Sequence, residues 1–350
     1  MRRTPTRLAV AVAAAVAAVS TLAGCGSNDA SASGGSNAAD VVRLGYFPNV
    51  THATAIVGDK EGLFVKHLGK TKLEIKTFND GTEAMEALRS GAIDATYVGP
   101  GPSVNTYLNS NGEALRVVAG AASGGAALVV DPAITSPAQL KGKKIATPGL
   151  GNTQDIALRY WLGTQKLSSD LQGGGDVNIA PQKNAQILDA FAQKLIAGAW
   201  VPEPYATRLV KAGGKVLVDE RDLWPNQQFA VTVLSVRTDF LRDHSDSVKA
   251  LLAGDLDAAE FIGSSPSKAQ KDVGDVITAV SGKPLAADVI SASWKSLTFT
   301  VDPIASSILT GAQHAYAVRV LKTEPKLDKL VDLTLLNQLL KERGKKAVTS

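Results

Sequence analysis

Five short stretches hold the residue types that could grip a small anion. Tyr46-Phe47-Pro48-Asn49-Val50-Thr51-His52, Asn79-Asp80-Gly81-Thr82-Glu83 and Gly99-Pro100-Gly101-Pro102-Ser103 come first; Ser123-Gly124-Gly125 and Gly149-Leu150-Gly151-Asn152-Thr153-Gln154-Asp155 follow. Each offers free backbone amides, hydroxyls or amide side chains where a strand pattern gives way to a helix pattern, and the first turn of a helix favours negative charge. The same residue types also serve as ordinary caps contributing about 1 kcal/mol each. Capping is the reading for Asn79 and Thr82. Ligand binding is the reading for Asn152 and Thr153, which follow glycines that let the backbone approach a ligand closely. The run GLGN lacks the Gly-Lys-Ser/Thr ending of a phosphate loop, which argues against a nucleoside triphosphate.

Two further features stand beside these loops. His52, just inside the first helix, is either a capping or solvated histidine or a hydrogen-bonding partner for a ligand. In Trp200-Val201-Pro202-Glu203-Pro204-Tyr205 two prolines stiffen a loop around one carboxylate. Glu203 would pair with an ammonium on the ligand if it faces a cleft, or cap the helix beginning near Pro204 if it does not. No second His or any Cys lies at ligand spacing from His52, so neither metal nor other cofactor is expected. GxSxG, HExxH and a carboxylate pair in a motif context are all missing, and the expectation is binding rather than catalysis.

The elements that must position these loops alternate along the chain. Strand-like VVRLGYF, KLEIKTF, ATYVG, LRVVAG and ALVVD are separated by helical runs around Ala53 to Leu63, Thr82 to Arg89 and Pro102 to Asn109. A second series repeats the plan: KKIATPG, a helix from Thr153 to Leu162, DVNIAP, a helix from Asn184 to Leu195, then GAWVP. Strands alternating with helices specify an α/β fold with mostly parallel sheets and ligands at the carboxyl ends of strands. Two similar series suggest two lobes facing one another. ALVVD and FAVTVLSV would then join the lobes as a double crossing, a hinge able to close on a ligand. From Ser245 to Ile262 and again over Asp288 to Arg343 the pattern is helical, a packing face.

The first residues speak to compartment. Arg2, Arg3 and Arg7 precede an apolar run from Leu8 to Leu22, closed by Leu22-Ala23-Gly24-Cys25. This is the pattern of a secretory signal with a lipobox, too short to stay as a membrane span of roughly 20 residues. Cys25 is the single cysteine. It would carry a diacylglycerol thioether on the new N-terminus, and several acyl chains anchor stably. Gly26 to Asp40 lacks large apolar residues and reads as a flexible tether. The three signal arginines are among 37 basic residues set against 33 acidic ones, so the processed chain is nearly neutral and offers no case for nucleic acid. At 45% apolar and 350 residues, the chain can build about two domains. The expected division is 1–24 signal, 25–40 lipidated Cys and tether, 41–128 with 233–350 as one lobe, and 129–232 as the other.

Several motifs in order, GYFPNVTHA, GAIDATYVGPGPSVN, SGGAALVV, ATPGLGNTQDIALRYWL, AWVPEPYATRLV and FTVDP, resemble the substrate-binding components of ABC importers for aliphatic sulfonates, taurine and nitrate. The resemblance runs from about Val41 to Asp302. It implies a two-lobed, type II periplasmic-binding fold that closes on its ligand and docks on a permease with a cytoplasmic ATPase. It places a sulfonate on helix N-termini at Gly101 to Ser103, Ser123-Gly124-Gly125 and Asn152-Thr153-Gln154, with Trp200 and Glu203 closing from the other side and Asn49 and His52 in the first loop. Where the family often has Gly-Ile-Asp before the tryptophan strand, this chain has Lys194-Leu195-Ile196-Ala197-Gly198. Relatives with similar motifs take nitrate, bicarbonate, aromatic anions or thiamine-precursor pyrimidines, and some proteins of this fold are pyrimidine synthases. The expectation is a monomeric, exported lipoprotein of the cell membrane that captures a small organic anion; a lipoprotein that binds a partner protein is the reading from another class.

Overall fold

The structure, a computed structural model, describes residues 37–350. Cys25, the signal-like segment and most of the tether lie outside the described residues. Eleven strands form among the described residues: β1 Val41–Tyr46, β2 Lys72–Thr77, β3 Ala95–Val98, β4 Leu115–Gly124, β5 Ala126–Val130, β6 Lys144–Thr147, β7 Asn178–Pro181, β8 Gly198–Pro202, β9 Lys215–Asp219, β10 Ala230–Arg237 and β11 Leu297–Phe299. They build two sheets, one ordered β11-β4-β10-β3-β1-β2 and the other β7-β6-β8-β5-β9. With helices packed on both faces, these are two α/β lobes.

The strand cores are apolar because both faces of each sheet are covered. Val42, Leu44, Tyr97 and Leu234 are buried in one lobe, Leu128, Ile145, Ala199 and Trp200 in the other. The expectation of mostly parallel sheets holds only for part of each. β1 runs parallel to β2 and β3, and β6 to β7 and β8; β10 and β11 in one sheet and β5 in the other pair antiparallel. The antiparallel strands are those around the lobe crossings, where the chain enters a sheet from the opposite end.

The chain passes between sheets twice. β4 ends at Gly124 and β5 begins at Ala126, so Gly125 alone makes the first crossing. The second runs through 220–229 and contains two short 3-10 turns, Glu220–Leu223 and Pro225–Gln227. Ser123 Oγ accepts from the Phe229 amide at 3.2 Å and ties the two crossings together.

The C-terminal stretch is less uniform than its pattern suggested. Helices Ala287–Lys295, Ala305–Ala317 and Thr334–Glu342 are interrupted by β11, and residues between Ala317 and Thr334 are not helical. β9 and β11 were not expected from the sequence. KVLVD is a half-exposed edge strand, and a three-residue strand leaves almost no periodicity to read.

Gly124 and Gly125 have φ of +79° and +67°, where a side chain strains the backbone. A Cβ on Gly125 would also stand 2.3 Å from Leu297 Cδ2. Gly125→Ala is expected to cost about 2 kcal/mol of stability, read as a lowered urea midpoint with an unchanged slope.

Candidate functional site: a polar cavity between the lobes

The turns at the carboxyl ends of the parallel strands meet between the lobes. One lobe supplies Asn49, Thr51 and His52 after β1, Asn79 to Gly81 after β2, and Gly99 and Pro102 after β3; the other supplies Pro148 and Asn152 to Gln154 after β6 and Asn184 after β7. These residues surround a cavity of about 40 Å³.

Four helices start at its wall: Gly81–Arg89, Pro100–Asn109, Thr153–Thr164 and Asn184–Ala192. A helix N-terminus carries about half a positive charge; in two of these four the amides are partly engaged, since Asp80 takes those of Thr82 and Glu83, and Gly101, between two prolines that have no N–H, donates to Thr153 Oγ. No Lys or Arg lines the cavity, and Asp80 is the one carboxylate that does. The positive character of the lining thus comes from neutral groups, and the Asp80 carboxylate opposes it.

His52 is 3% exposed and stacked on Phe47 with ring centroids 4.5 Å apart. Burial lowers its pKa to about 3, so the imidazole is neutral. Its Nδ1 lies 3.2 Å from the Phe47 amide N–H, which donates to it. The ring proton must then sit on Nε2, leaving a fixed N–H donor on a cavity-lining residue. Asn49 and Asn152 precede their helices without making any side-chain cap hydrogen bond. Both are buried, and both line the cavity.

Asp80 caps the Gly81 helix: its Oδ1 accepts from the amides of Thr82 and Glu83 at 2.9 and 3.0 Å. Both bonds fall on one oxygen. Asn184 is 7% exposed and its Oδ1 has no partner. The sequence reading passed over Asp80 and Asn184, which look like a cap and the opening of a helix; only the fold shows that those helix ends point at the same cavity.

The expected site residues divide into two groups. Asn49, His52, Asn152, Thr153 and Gln154 come together on the cavity wall. Gly101 stands beside it at the contact between lobes, where its amide donates to Thr153 Oγ at 3.1 Å and a Cβ would meet Thr153 N at 2.9 Å. Ser103 lies beneath the cavity, its Oγ 3.0 Å from Ser235 Oγ. Ser123, Gly124 and Gly125 form the crossing described above.

Trp200 and Glu203 do not line the cavity. Trp200 is fully buried in the second lobe, edge-on to Trp161, and its Nε1 donates to Glu220 Oε2 at 2.7 Å. Glu203 takes the capping alternative: its carboxylate accepts from the Thr207 amide and hydroxyl at 3.0 and 2.9 Å. Ser293 Oγ, from the Ala287–Lys295 helix, adds a third donor at 2.9 Å. Burial raises the Glu203 pKa, and these hydrogen bonds oppose the shift. The reason is topological. Pro202 at the end of β8 reaches the cavity wall, and Pro204 then turns the chain straight into a helix that Glu203 caps.

Asp155 fixes the Gly149–Asn152 turn from below. It accepts from Thr147 Oγ at 2.9 Å, the Gly151 amide at 3.0 Å and Arg159 Nε at 2.9 Å. Asp155 and Arg159 are 0% and 3% exposed, an ion pair inside the lobe.

Two α/β lobes joined by two crossings, with a polar cavity between them, make a two-lobed periplasmic-binding-protein fold. Residues 36–277 match the NMT1-like family, and the chain belongs to it. The taurine-binding periplasmic protein of Escherichia coli is 29% identical over 209 residues, 59% of this chain and 62% of that protein. Among solved structures, the nitrate-binding protein NrtA of Synechocystis superposes with a TM-score of 0.75 at 16% identity, covering 87% of this chain and 89% of that one. The alkanesulfonate-binding protein SsuA of Xanthomonas axonopodis, bound to MOPS, gives 0.71 at 19% identity over 84% and 99%.

Asp155→Ala leaves Arg159 charged, buried and unpaired. A loss of about 3–5 kcal/mol is expected, measured by chemical denaturation, with Asp155→Asn losing less because it still accepts from Gly151.

Proposed function

We propose that this chain is the extracytoplasmic solute-binding component of an ABC importer and that it captures a small aliphatic sulfonate of the taurine type between its lobes. The observation that carries the reading is the convergence of four helix N-termini on a cavity lined by neutral donors and no basic side chain. A sulfonate is a permanent anion that only accepts hydrogen bonds, so amides, hydroxyls and the His52 Nε2–H match it without any proton exchange. The proposed ligand residues are Asn49, His52, Asn152, Thr153 and Gln154, joined by Asp80 and Asn184.

Asp80 favours a zwitterion over a simple anion. Taurine carries an ammonium two carbons from its sulfonate, and the second Asp80 oxygen is a partner for it; nitrate has no donor and leaves Asp80 and Asn184 Oδ1 unmatched. The taurine-binding relative and the sulfonate-binding structural neighbour support the same ligand class. Export and a lipid anchor at Cys25 belong to the proposal, resting on Arg2, Arg3 and Arg7, the apolar run and Leu22 to Cys25. A permease and its ATPase are the implied partners. The lobes are proposed to rock about Gly124-Gly125 and 220–229.

Calorimetric titration with taurine, ethanesulfonate, nitrate, bicarbonate and an aminopyrimidine tests the reading. Sulfonates are expected to bind and the others to bind weakly; a response to nitrate or bicarbonate alone changes the cargo, and no response to any of them removes the anion site. Asp80→Asn keeps a good cap and should weaken taurine about tenfold, the low end for a charge-assisted bond at a half-exposed site, while ethanesulfonate is unaffected. Equal loss for both ligands would show that Asp80 does not meet the ammonium. Cys25→Ser should move the protein from the membrane to the soluble fraction, and continued membrane association would end the anchor proposal.

A further inference from the structure

A second cavity lies on the far side of the return strand. Val231 lines the anion cavity, while Phe229 and Ala230 line the second one, of about 40 Å³. Ala230 and Val231 are neighbours in β10 and face opposite ways, so that strand serves both cavities, with Phe229 just ahead of it on the second. The second cavity is enclosed by the Pro100–Asn109 helix of one lobe, the Thr153–Thr164 helix of the other, the 220–229 crossing and the Ala305–Ala317 helix.

Its walls are chiefly aliphatic, with Val104, Ile156 and Ile308 among them. Trp224 stacks on Phe229 with centroids 5.6 Å apart and leans on His314 at the same distance. Burial lowers the His314 pKa, so that ring brings no competing positive charge. Asn105, Thr153, Ser307 and His314 also reach this lining, but Glu220, 1% exposed, is its one carboxylate. Its Oε2 accepts from Trp200, whereas Oε1 has no hydrogen-bond partner. Burial raises the Glu220 pKa to about 7, opposed by the neighbouring indole N–H groups of Trp200 and Trp224. The Trp224 indole is near the carboxylate, yet Oε1 is left without a full hydrogen bond, and a buried acceptor in that state is costly unless something supplies a better-placed donor.

From this geometry we infer that the cavity behind the return strand is a second ligand site, taking a small primary alkylammonium of about four to five heavy atoms whose N–H groups meet Glu220 Oε1 and whose chain lies against Ile156 and Ile308. The electron-rich faces of Trp224 and Phe229 add attraction for a cation. The amine site requires no particular anion in the first cavity. Because its walls come from both lobes, an occupant holds the lobes together and should tighten anion binding, with equal effect in the other direction.

The test is thermal unfolding and calorimetry of the whole chain with n-butylammonium chloride, without any anion ligand, against 1-butanol and tetramethylammonium chloride as controls. A saturable rise in Tm with butylammonium is expected, with neither control matching it. Glu220→Gln retains the acceptor for Trp200 and should weaken butylammonium at least tenfold. Gly311 lines the cavity, and a Cβ built on it meets nothing within 4 Å; Gly311→Leu should block the amine without unfolding the protein. No saturable response, an equal response to 1-butanol, or undiminished binding by both variants would overturn the proposal. Taurine titrations of the same variants without amine separate this outcome from failure of the anion reading, since Glu220→Gln and Gly311→Leu are expected to leave them within about twofold.

Discussion

The Asp155–Arg159 pair never touches the cavity, yet the second lobe's part of it depends on that pair. Taking both charges out of water is expensive, and the cost is recovered only when every donor around the carboxylate is in place. Thr147 at the end of β6 and the Gly151 amide in the following turn are two of those donors. Satisfying Asp155 therefore fixes where β6 stops and how the turn bends. That bend sets Asn152 and Thr153 at the start of a helix whose N–H groups face the other lobe. The cavity-facing Asn152 and Thr153 are held in place by the buried charge behind them.

The crossings impose a second constraint. A hinge must pass between sheets in very few residues and still let the lobes approach, so Gly124 and Gly125 take left-handed backbone in close contact with Ser296 and Leu297. Ser123 binds this crossing to Phe229 in the other one. The two connections therefore act as one joint, and a change in one is felt by the return strand that borders both cavities. Glu203 adds a clasp outside the joint, since Thr207 and Ser293 reach its carboxylate from helices on either side.

Much of the site was legible in the sequence because its chemistry is local. A strand followed by Pro-Asn or Gly-x-Gly-Asn ahead of a helix announces a turn with free amides, and Asn49, His52, Asn152, Thr153 and Gln154 do line one cavity. What the sequence could not convey was which way a side chain faces at the end of a buried strand. Trp200 and Glu203 sit in the most individual loop of the chain, but Trp200 pairs with Glu220, 20 residues away, and Glu203 adds Ser293, 90 residues away, to its local partner Thr207. Nothing local tells a carboxylate that caps a helix from one that meets a ligand. Asp80 shows the converse: it looks like a cap and is one, and the fold also brings it to the cavity wall. Cross-lobe placement, rather than residue type, separates the two.

With an anion bound as proposed, neutral donors drawn from two lobes make binding and closure a single equilibrium. In the open arrangement each lobe would present only half the helix N-termini to an anion, with water free to compete. In the arrangement described here Gly101 of one lobe rests against Gly151, Asn152 and Thr153 of the other, and a side chain at 101 would hold them apart. The anion's affinity for the closed form, less its affinity for the open one, is what drives the lobes together. A buried lysine on one lobe would bind the anion whether or not the lobes met, and would weaken that difference. A cavity without a basic residue gives up some absolute affinity and keeps the coupling between occupancy and shape, the property a docking partner would need in order to tell a loaded protein from an empty one.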